Sequence, residues 1–322
     1  MASRIESYGI IGNSQTAALI SAEGSLDWLC APRFDSDACF AALIGYDEHG
    51  RWTIRPTVPV RRRTHRYRGD TLILETEVAC DGGVIRHTDF MPPSDARCDV
   101  LRIVEGIEGE VPMEMLVDMR FGYGINAPWI IPAAGGFSFI SGPDAALIRG
   151  SVKMTPSDHG TRAYFSVKKG DRVALQLNWH PSHLSDPPAL DIERELQRTN
   201  QMWLDWSSRC TYRGRWRDAV IRSLITLKAL TYAPTGAIVA APTTSLPEEI
   251  GGVRNWDYRF CWLRDASLTL NALLLAGYID EATAFRDWLL RAASGHPSDV
   301  QIMYGIDGSR RLTEFELTNL PG

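Results

Sequence analysis

From residue 5 to about 185, hydrophobic and polar positions alternate with a period of two. Val111, Met113, Met115, Val117, Met119 and Phe121 alternate with Pro112, Glu114, Leu116, Asp118 and Arg120. Successive side chains of a strand point to opposite faces, so this run predicts a strand with a buried, Met-rich face and a largely wetted one. Leu72, Leu74, Thr76 and Val78 repeat the pattern, as do Val173, Leu175, Leu177 and Trp179. Turn chemistry separates the runs at Asp81-Gly82-Gly83, Pro92-Pro93-Ser94, Gly135-Gly136 and Lys169-Gly170-Asp171. No helical period intervenes to supply crossovers. The pattern therefore predicts an antiparallel β-sandwich rather than a parallel sheet.

After His180-Pro181-Ser182-His183 and Pro187-Pro188 the period changes. Ile192, Leu196, Thr199, Trp203 and Trp206 mark one face of a helix, with Asp191 as its N-cap. Trp216, Val220, Leu224 and Leu227 predict the face of a second. Beyond a loop rich in Pro, Gly and Thr (233–252), residues 264–276 read as a third helix ending at Gly277. Asp280 is then expected to cap a fourth, with Ala284, Phe285, Trp288 and Leu289 facing inward. No strand is predicted among these helices, so the second part reads as all-α, built from helical hairpins. The Pro-rich stretch near 181–190 is the seam. There is no internal repeat and no low-complexity tract.

Composition narrows the classes. At 322 residues the chain has room for about two domains, and 44% hydrophobic residues exclude disorder as its main state. A net charge of -5 argues against nucleic acid as a partner, because a phosphate-backbone binder carries a basic surplus. Residues 1–12 lack the n-region and h-region of a signal peptide, and no run reaches the ~18–20 apolar residues that span a bilayer. No membrane partner is expected. The six cysteines, Cys30, Cys39, Cys80, Cys98, Cys210 and Cys261, form no C-x-x-C pair. They are expected to be reduced, mostly buried thiols in a cytoplasmic protein.

H-E-x-x-H, G-x-S-x-G, P-loop and G-x-G-x-x-G signatures are absent. His180 and His183 lack a third ligand in view, so no metal and no cofactor is expected. The basic run Arg61, Arg62, Arg63, His65, Arg66 and Arg68 reads as a solvated strand face with acidic partners. The segment 254–265 is different: it packs three Arg, two Asp, two Trp, a Tyr and a Phe immediately before an apolar helix. Sugars suit this mixture, since their C–H faces pack on aromatic rings while adjacent hydroxyls accept from a guanidinium and donate to a carboxylate. Arg264 and Asp265 are neighbours at the helix start, placed to meet one vicinal diol. A purely structural reading fits equally well, with Asp265 as N-cap, Arg264 as its ion-pair partner and the Trp residues as core.

This segment resembles the start of the catalytic domain of glycoside hydrolase family 15, the glucoamylase, glucodextranase and trehalase group. The runs Ile5-Glu6-Ser7-Tyr8-Gly9-Ile10-Ile11-Gly12-Asn13, Thr16-Ala17-Ala18-Leu19, Gly24-Ser25-Leu26-Asp27-Trp28-Leu29-Cys30 and Pro32-Arg33-Phe34-Asp35-Ser36 resemble the N-terminal domain of its bacterial trehalase-like members. The resemblance covers essentially the whole chain. It implies a β-sandwich (super-sandwich) over 1–185, a helical linker over 186–212, and over 213–322 the first part of an (α/α)6 barrel. It also implies a small carbohydrate partner, trehalose or a malto-oligosaccharide. Carried across, Trp262, Arg264 and Asp265 match the family's first substrate-binding motif, in which the Arg and Asp grip hydroxyls of the non-reducing glucose. Tyr258 matches an aromatic bordering that subsite, and Asp257 is a candidate support behind it.

Family members invert configuration with two glutamates about 6.5–9.5 Å apart, one the general acid and the other the base. Neither glutamate motif is present, and the chain is expected to stop ahead of the acid, so this portion alone carries no catalytic residue. Glu314 and Glu316, at i and i+2, do not converge on one face of a helix and read as structural. Glu248 and Glu249 follow Pro247 in a loop that borders the site. The expected activity is that of an inverting α-glucoside hydrolase. Two rivals stand beside it: a maltose- or trehalose-phosphorylase-type enzyme, and a non-catalytic carbohydrate-binding fragment.

Overall fold

The alternating methionines lie on one 21-residue strand, Cys98–Asp118, around which the molecule is organised. The structure, a computed structural model, describes residues 3–94, 97–157, 160–249, 252 and 254–321. The first part of the long strand pairs with Gly83–Phe90 and Arg172–Pro181; its second part pairs with Arg51–Pro56 and Gly160–Lys168. One strand therefore serves two limbs of a sheet. Fifteen strands among the described residues join in that sheet, every pairing antiparallel.

The passage between limbs falls at Gly106 and Gly109. A Cβ on Gly106 would overlap the Lys168 carbonyl, and one on Gly109 (φ +67°) would overlap that of Gly82. The opposing strand shifts register between Val84 and Ile85. Close backbone approach and a bulge bend the strand here, which requires glycine.

The predicted Met face is fully buried: Val111, Met113, Met115, Val117 and Met119 share one core with Trp52 and Ile54 of one limb and Val78, Ile85 and Leu177 of the other. Arg102 lies in the same seam with its side chain 0% exposed. It donates to Asp89 Oδ1 at 2.8 Å, to the Trp52 carbonyl at 2.8 Å and to the Gly24 carbonyl at 2.9 Å. Its guanidinium also lies 4.9 Å from the Trp52 ring centroid. A buried cation is tolerable only with its donors satisfied, so these bonds fix how the limbs face each other.

Helix α1 (Ile192–Ser208) begins where the period changed, and the Asp191 carboxylate accepts from the Arg194 amide at 3.1 Å as its cap. Leu196 packs on Ile73, Phe90, Leu101 and Ile103, outside the methionine core. That cover explains polar residues buried on this face: Gln176 and Asn178 donate to Asp99 at 2.7 and 2.9 Å. Trp203 and Trp206 continue into a second core with α2 (Arg217–Ala229), α3 (Leu263–Leu275) and Tyr278 ahead of α4 (Ile279–Ala292).

Several expectations for this part need correction. It is not purely helical: Thr231–Tyr232 pairs with Ala237–Ile238, and Cys261–Trp262 with Met303–Tyr304. Two-residue strands are too short to leave an alternation in sequence. The buried face of α2 is Ile221, Leu224 and Ile225, while Trp216 stands exposed ahead of the helix. The N-cap of α4 is Tyr278, so Asp280 lies in the first turn, where the dipole favours a carboxylate. Phe285 and Trp288 are buried as expected, but Ala284 is exposed. Helix α3 does end at Gly277, whose φ of +94° suits glycine.

The sheet meets the helical part through the motif Pro32-Arg33-Phe34-Asp35-Ser36. Phe34 enters the core formed by Tyr232, Ile238, Phe285 and Trp288, and Arg33 bridges Asp35 and Asp307 at 2.7 and 3.2 Å. Trp28 Nε1 donates to the Pro242 carbonyl at 2.7 Å, and the Ala233 amide to the Ser14 carbonyl at 2.8 Å.

Phe34→Ala is expected to cost about 3–5 kcal/mol in denaturant unfolding, because it empties a buried aromatic site at this junction; a loss below about 1 kcal/mol would contradict the packing. Acid is expected to weaken the fold through His87, whose pKa burial pushes from 6.5 down to about 4, with Arg102 and Arg63 acting in the same direction and Asp89 against it. Between those two values the unfolded chain binds a proton that the native chain does not, so stability falls as pH falls through that window. Melting temperatures from pH 7 to 4 are expected to drop less steeply for His87→Gln than for the native chain. Equal slopes would show that His87 carries none of the effect.

Candidate functional site

Residues 254–260 return antiparallel along 240–248. The Ser245 amide donates to the Trp256 carbonyl at 2.8 Å, Ala241 to Tyr258 at 2.9 Å, and Glu248 to Arg254 at 2.9 Å. The strand Cys261–Trp262 follows, and Trp262, extended at φ -84° and ψ 118°, is the N-cap residue of α3. This puts Arg264 and Asp265 in the first turn of that helix. Of the structural reading drawn from the sequence, the N-cap role fails, since Asp265 lies inside the helix rather than at its cap, while the Arg264–Asp265 ion pair is present.

Trp262 is half-buried and flanked edge-on by two further rings, Trp256 at 5.9 Å and Tyr258 at 5.8 Å between centroids. Its indole N–H donates to the Asp257 carbonyl at 2.9 Å. Trp256 donates in turn to Glu248 Oε1 at 3.0 Å, which gives that glutamate a concrete place at the rim. Arg264 Nη2 meets Asp265 Oδ2 at 3.2 Å; the Arg side chain is 75% exposed and the Asp side chain 32%. An exposed pair of this kind contributes little to stability and leaves donors and acceptor oxygens free to meet a ligand. The aromatic trio and the ion pair are joined through the chain at 262–265, with no hydrogen bond between them among the described residues.

Asp257 has a definite task. Its carboxylate accepts from the Arg259 amide at 3.0 Å, from Nε at 3.0 Å and from Nη2 at 2.7 Å. Arg259 is 7% exposed and reaches into the sheet domain, where Nη1 donates to the Ser36 carbonyl at 2.7 Å and to Cys30 Sγ at 3.3 Å. Its guanidinium lies 5.2 Å from the Tyr123 ring centroid. Burial works against the Arg259 charge, but Cys30, Asp257 and Tyr123 together hold its pKa above the usual arginine range. Burial likewise pushes the Cys30 thiol up to about 11, with Arg259 opposing. Sequence reasoning missed Arg259. The available signal was the Asp257-x-Arg259 spacing, at which an Asp carboxylate can accept from the amide two residues on and turn the chain.

The other candidates resolve plainly. Glu314 and Glu316 are exposed and apart from the aromatic trio in sequence. His180 is buried and faces Asp186 at 3.5 Å, while His183 is exposed. Among the described residues no group of three or more His, Cys, Asp or Glu is arranged to hold a metal. Arg61 and Arg68 pair with Asp81 and Glu75 at 2.6 and 2.7 Å on an open strand. All six cysteines are free and buried. Two shallow grooves, about 380 and 470 Å³, lie elsewhere, beside Gly135, Ser151 and Lys153 and beside Arg149, Gln176 and Leu190.

Comparison with known proteins agrees with both stretches singled out above. Residues 214–322 match the family described as glycosyl hydrolases family 15, and residues 1–151 match the trehalase-like N-terminal family. The trehalase of Thermoplasma volcanium is 35% identical over 97% of this chain and 51% of its own length. That of Mycolicibacterium smegmatis is 33% identical over 99% and 52%. The chain thus spans about half the length of the curated relatives it matches. A bacterial glucoamylase solved with acarbose superposes with a TM-score of 0.67 at 14% identity, over 97% of this chain and 53% of that one. A putative kojibiose phosphorylase from the human microbiome reaches 0.50 at 7% identity, over 86% and 46%. At such identities these two likenesses speak to the fold, a large antiparallel sheet followed by helices. With the sequence matches beside them, residues 214–322 are similar to the glycosyl hydrolases of family 15 and residues 1–151 to the trehalase-like N-terminal family.

Proposed function

We propose that this chain is the glucose-gripping part of an inverting α-glucoside hydrolase of the trehalase or glucoamylase type, acting on trehalose or on α-glucan non-reducing ends. The observation that carries the reading is Trp262, flanked by Trp256 and Tyr258, directly preceding an exposed Arg264–Asp265 pair at the start of α3. Trp262 and Tyr258 would meet the C–H face of the sugar. Arg264 donates to two adjacent hydroxyls, and Asp265 accepts from one of them. Helices α2, α3 and α4 are the first of an (α/α)6 barrel, with α1 as the linker over 186–212 between the sheet domain (1–185) and the barrel portion (213–322). The general acid and base come from sequence corresponding to the remaining half of the trehalases. The free, buried thiols fit a cytoplasmic location.

A hydrolase is favoured over a phosphorylase because the matched sequence relatives are trehalases, and because the arginines of the 61–68 run that form ion pairs are already engaged by carboxylates. The test is glucose release from trehalose, maltose and isomaltose by the longest gene product that carries this chain, with and without inorganic phosphate, beside the 322-residue chain. The long product is expected to release glucose without phosphate, and the 322-residue chain to release almost none. Arg264→Ala and Asp265→Asn should each lower kcat/KM by about 10–100-fold, as loss of a charged hydrogen bond predicts. Strict phosphate dependence, or wild-type kcat/KM in both variants, would overturn the proposal.

A further inference from the structure

We propose that Arg259 is a positioning residue through which the N-terminal sheet domain sets the orientation of the Trp262 indole. The inference rests on the reading of Trp262 as the sugar platform. Four links form the connection. The Ser36 carbonyl and Cys30 Sγ, both in the sheet domain, accept from Arg259 Nη1. Arg259 Nε and Nη2 grip the Asp257 carboxylate, and the Arg259 amide closes the same carboxylate from the backbone. The Asp257 carbonyl accepts the indole N–H of Trp262. A planar guanidinium with fixed donor directions transmits orientation along such a route, which a flexible ammonium does not.

Tyr123 supplies a second and independent observation. It has a φ of +58°, between Gly122 at +59° and Gly124 at +96°. A tyrosine adopts the left-handed region only where its surroundings hold it there. Its amide donates to the Ala38 carbonyl at 3.0 Å, its carbonyl accepts from Asn319 Nδ2 at 2.9 Å, and its ring faces Arg259. His49, adjoining the same loop, has Nε2 at 3.0 Å from the Asn319 carbonyl. The sheet domain thus holds Arg259 with two hydrogen-bond acceptors and an aromatic ring on a left-handed residue.

The test reads the indole directly, without sugar. In the 322-residue chain labelled with 15N-tryptophan, the Trp262 Nε1–H resonance is assigned with Trp262→Phe and followed in Arg259→Met and Arg259→Lys. In Arg259→Met it is expected to shift and to exchange with solvent about tenfold faster, with the Trp288 indole unchanged as an internal control for local opening. Arg259→Lys, which keeps the charge without the fixed fork, should leave the resonance shifted and restore only part of the solvent protection. If Arg259→Met unfolds the chain, Asp257→Asn replaces it, since it removes the charged half of the grip and keeps the backbone carbonyl. An unchanged Trp262 indole in a folded variant would overturn the proposal. Kinetics of the long gene product form a separate arm, where Arg259→Met should raise KM about fivefold with kcat changed less, and should add nothing to Trp262→Phe. If Trp262→Phe itself has no kinetic effect, the sugar-platform reading fails, while the indole measurement still decides the positioning role.

Discussion

Two buried guanidinium groups govern how this molecule is put together. Each lies in a seam, where water cannot satisfy it, and each tolerates that place only because neighbouring polar groups accept its N–H donors. Arg102 closes the seam between the two limbs of the sheet, through Asp89 and the carbonyls of Trp52 and Gly24. Arg259 closes the seam between the sheet and the helical part, through Asp257, Ser36 and Cys30. Hydrophobic burial drives both seams together but does not choose an orientation, because apolar contact has no direction. Fixed donor geometry does.

The motifs that carry the family resemblance are, for the most part, the residues of the second seam. Cys30 and Ser36 receive Arg259, Phe34 enters the helical core, Arg33 reaches Asp307, and Trp28 donates to Pro242. On the other side, the segment 254–262 contributes Arg259 to the seam and Trp262 to the proposed sugar site. Docking contacts and the proposed sugar site therefore share one stretch of chain. The docking residues Cys30 and Ser36 thus bond directly to the loop that carries Trp262.

Much of the fold was legible in sequence, and the reasons for success and failure are physical. A strand buried on one face writes a period of two, so the methionine strand and the sheet class were readable. The start of α1 was readable because Asp191 caps it by a local bond. Helix α2 was harder: Ile221 and Ile225 are buried where Val220 and Leu227 were expected, because the helix packs against Trp203, Trp206 and Tyr278 from distant sequence. The short pairings at 231–238 and at 261–304 are set by tertiary contact and leave no pattern. At the site, resemblance and composition pointed to Tyr258, Trp262, Arg264 and Asp265, whereas Arg259 stayed hidden because its partners, Cys30 and Ser36, lie more than two hundred residues away.

The most direct measurement is a structure of the protein with a bound non-reducing glucose unit, soaked as trehalose or maltose. The pyranose is expected to lie against Trp262, with Arg264 and Asp265 each about 3 Å from adjacent hydroxyls. A sugar bound instead in the groove beside Gly135 and Lys153, with the Trp262 surface bare, would contradict the placement of the site.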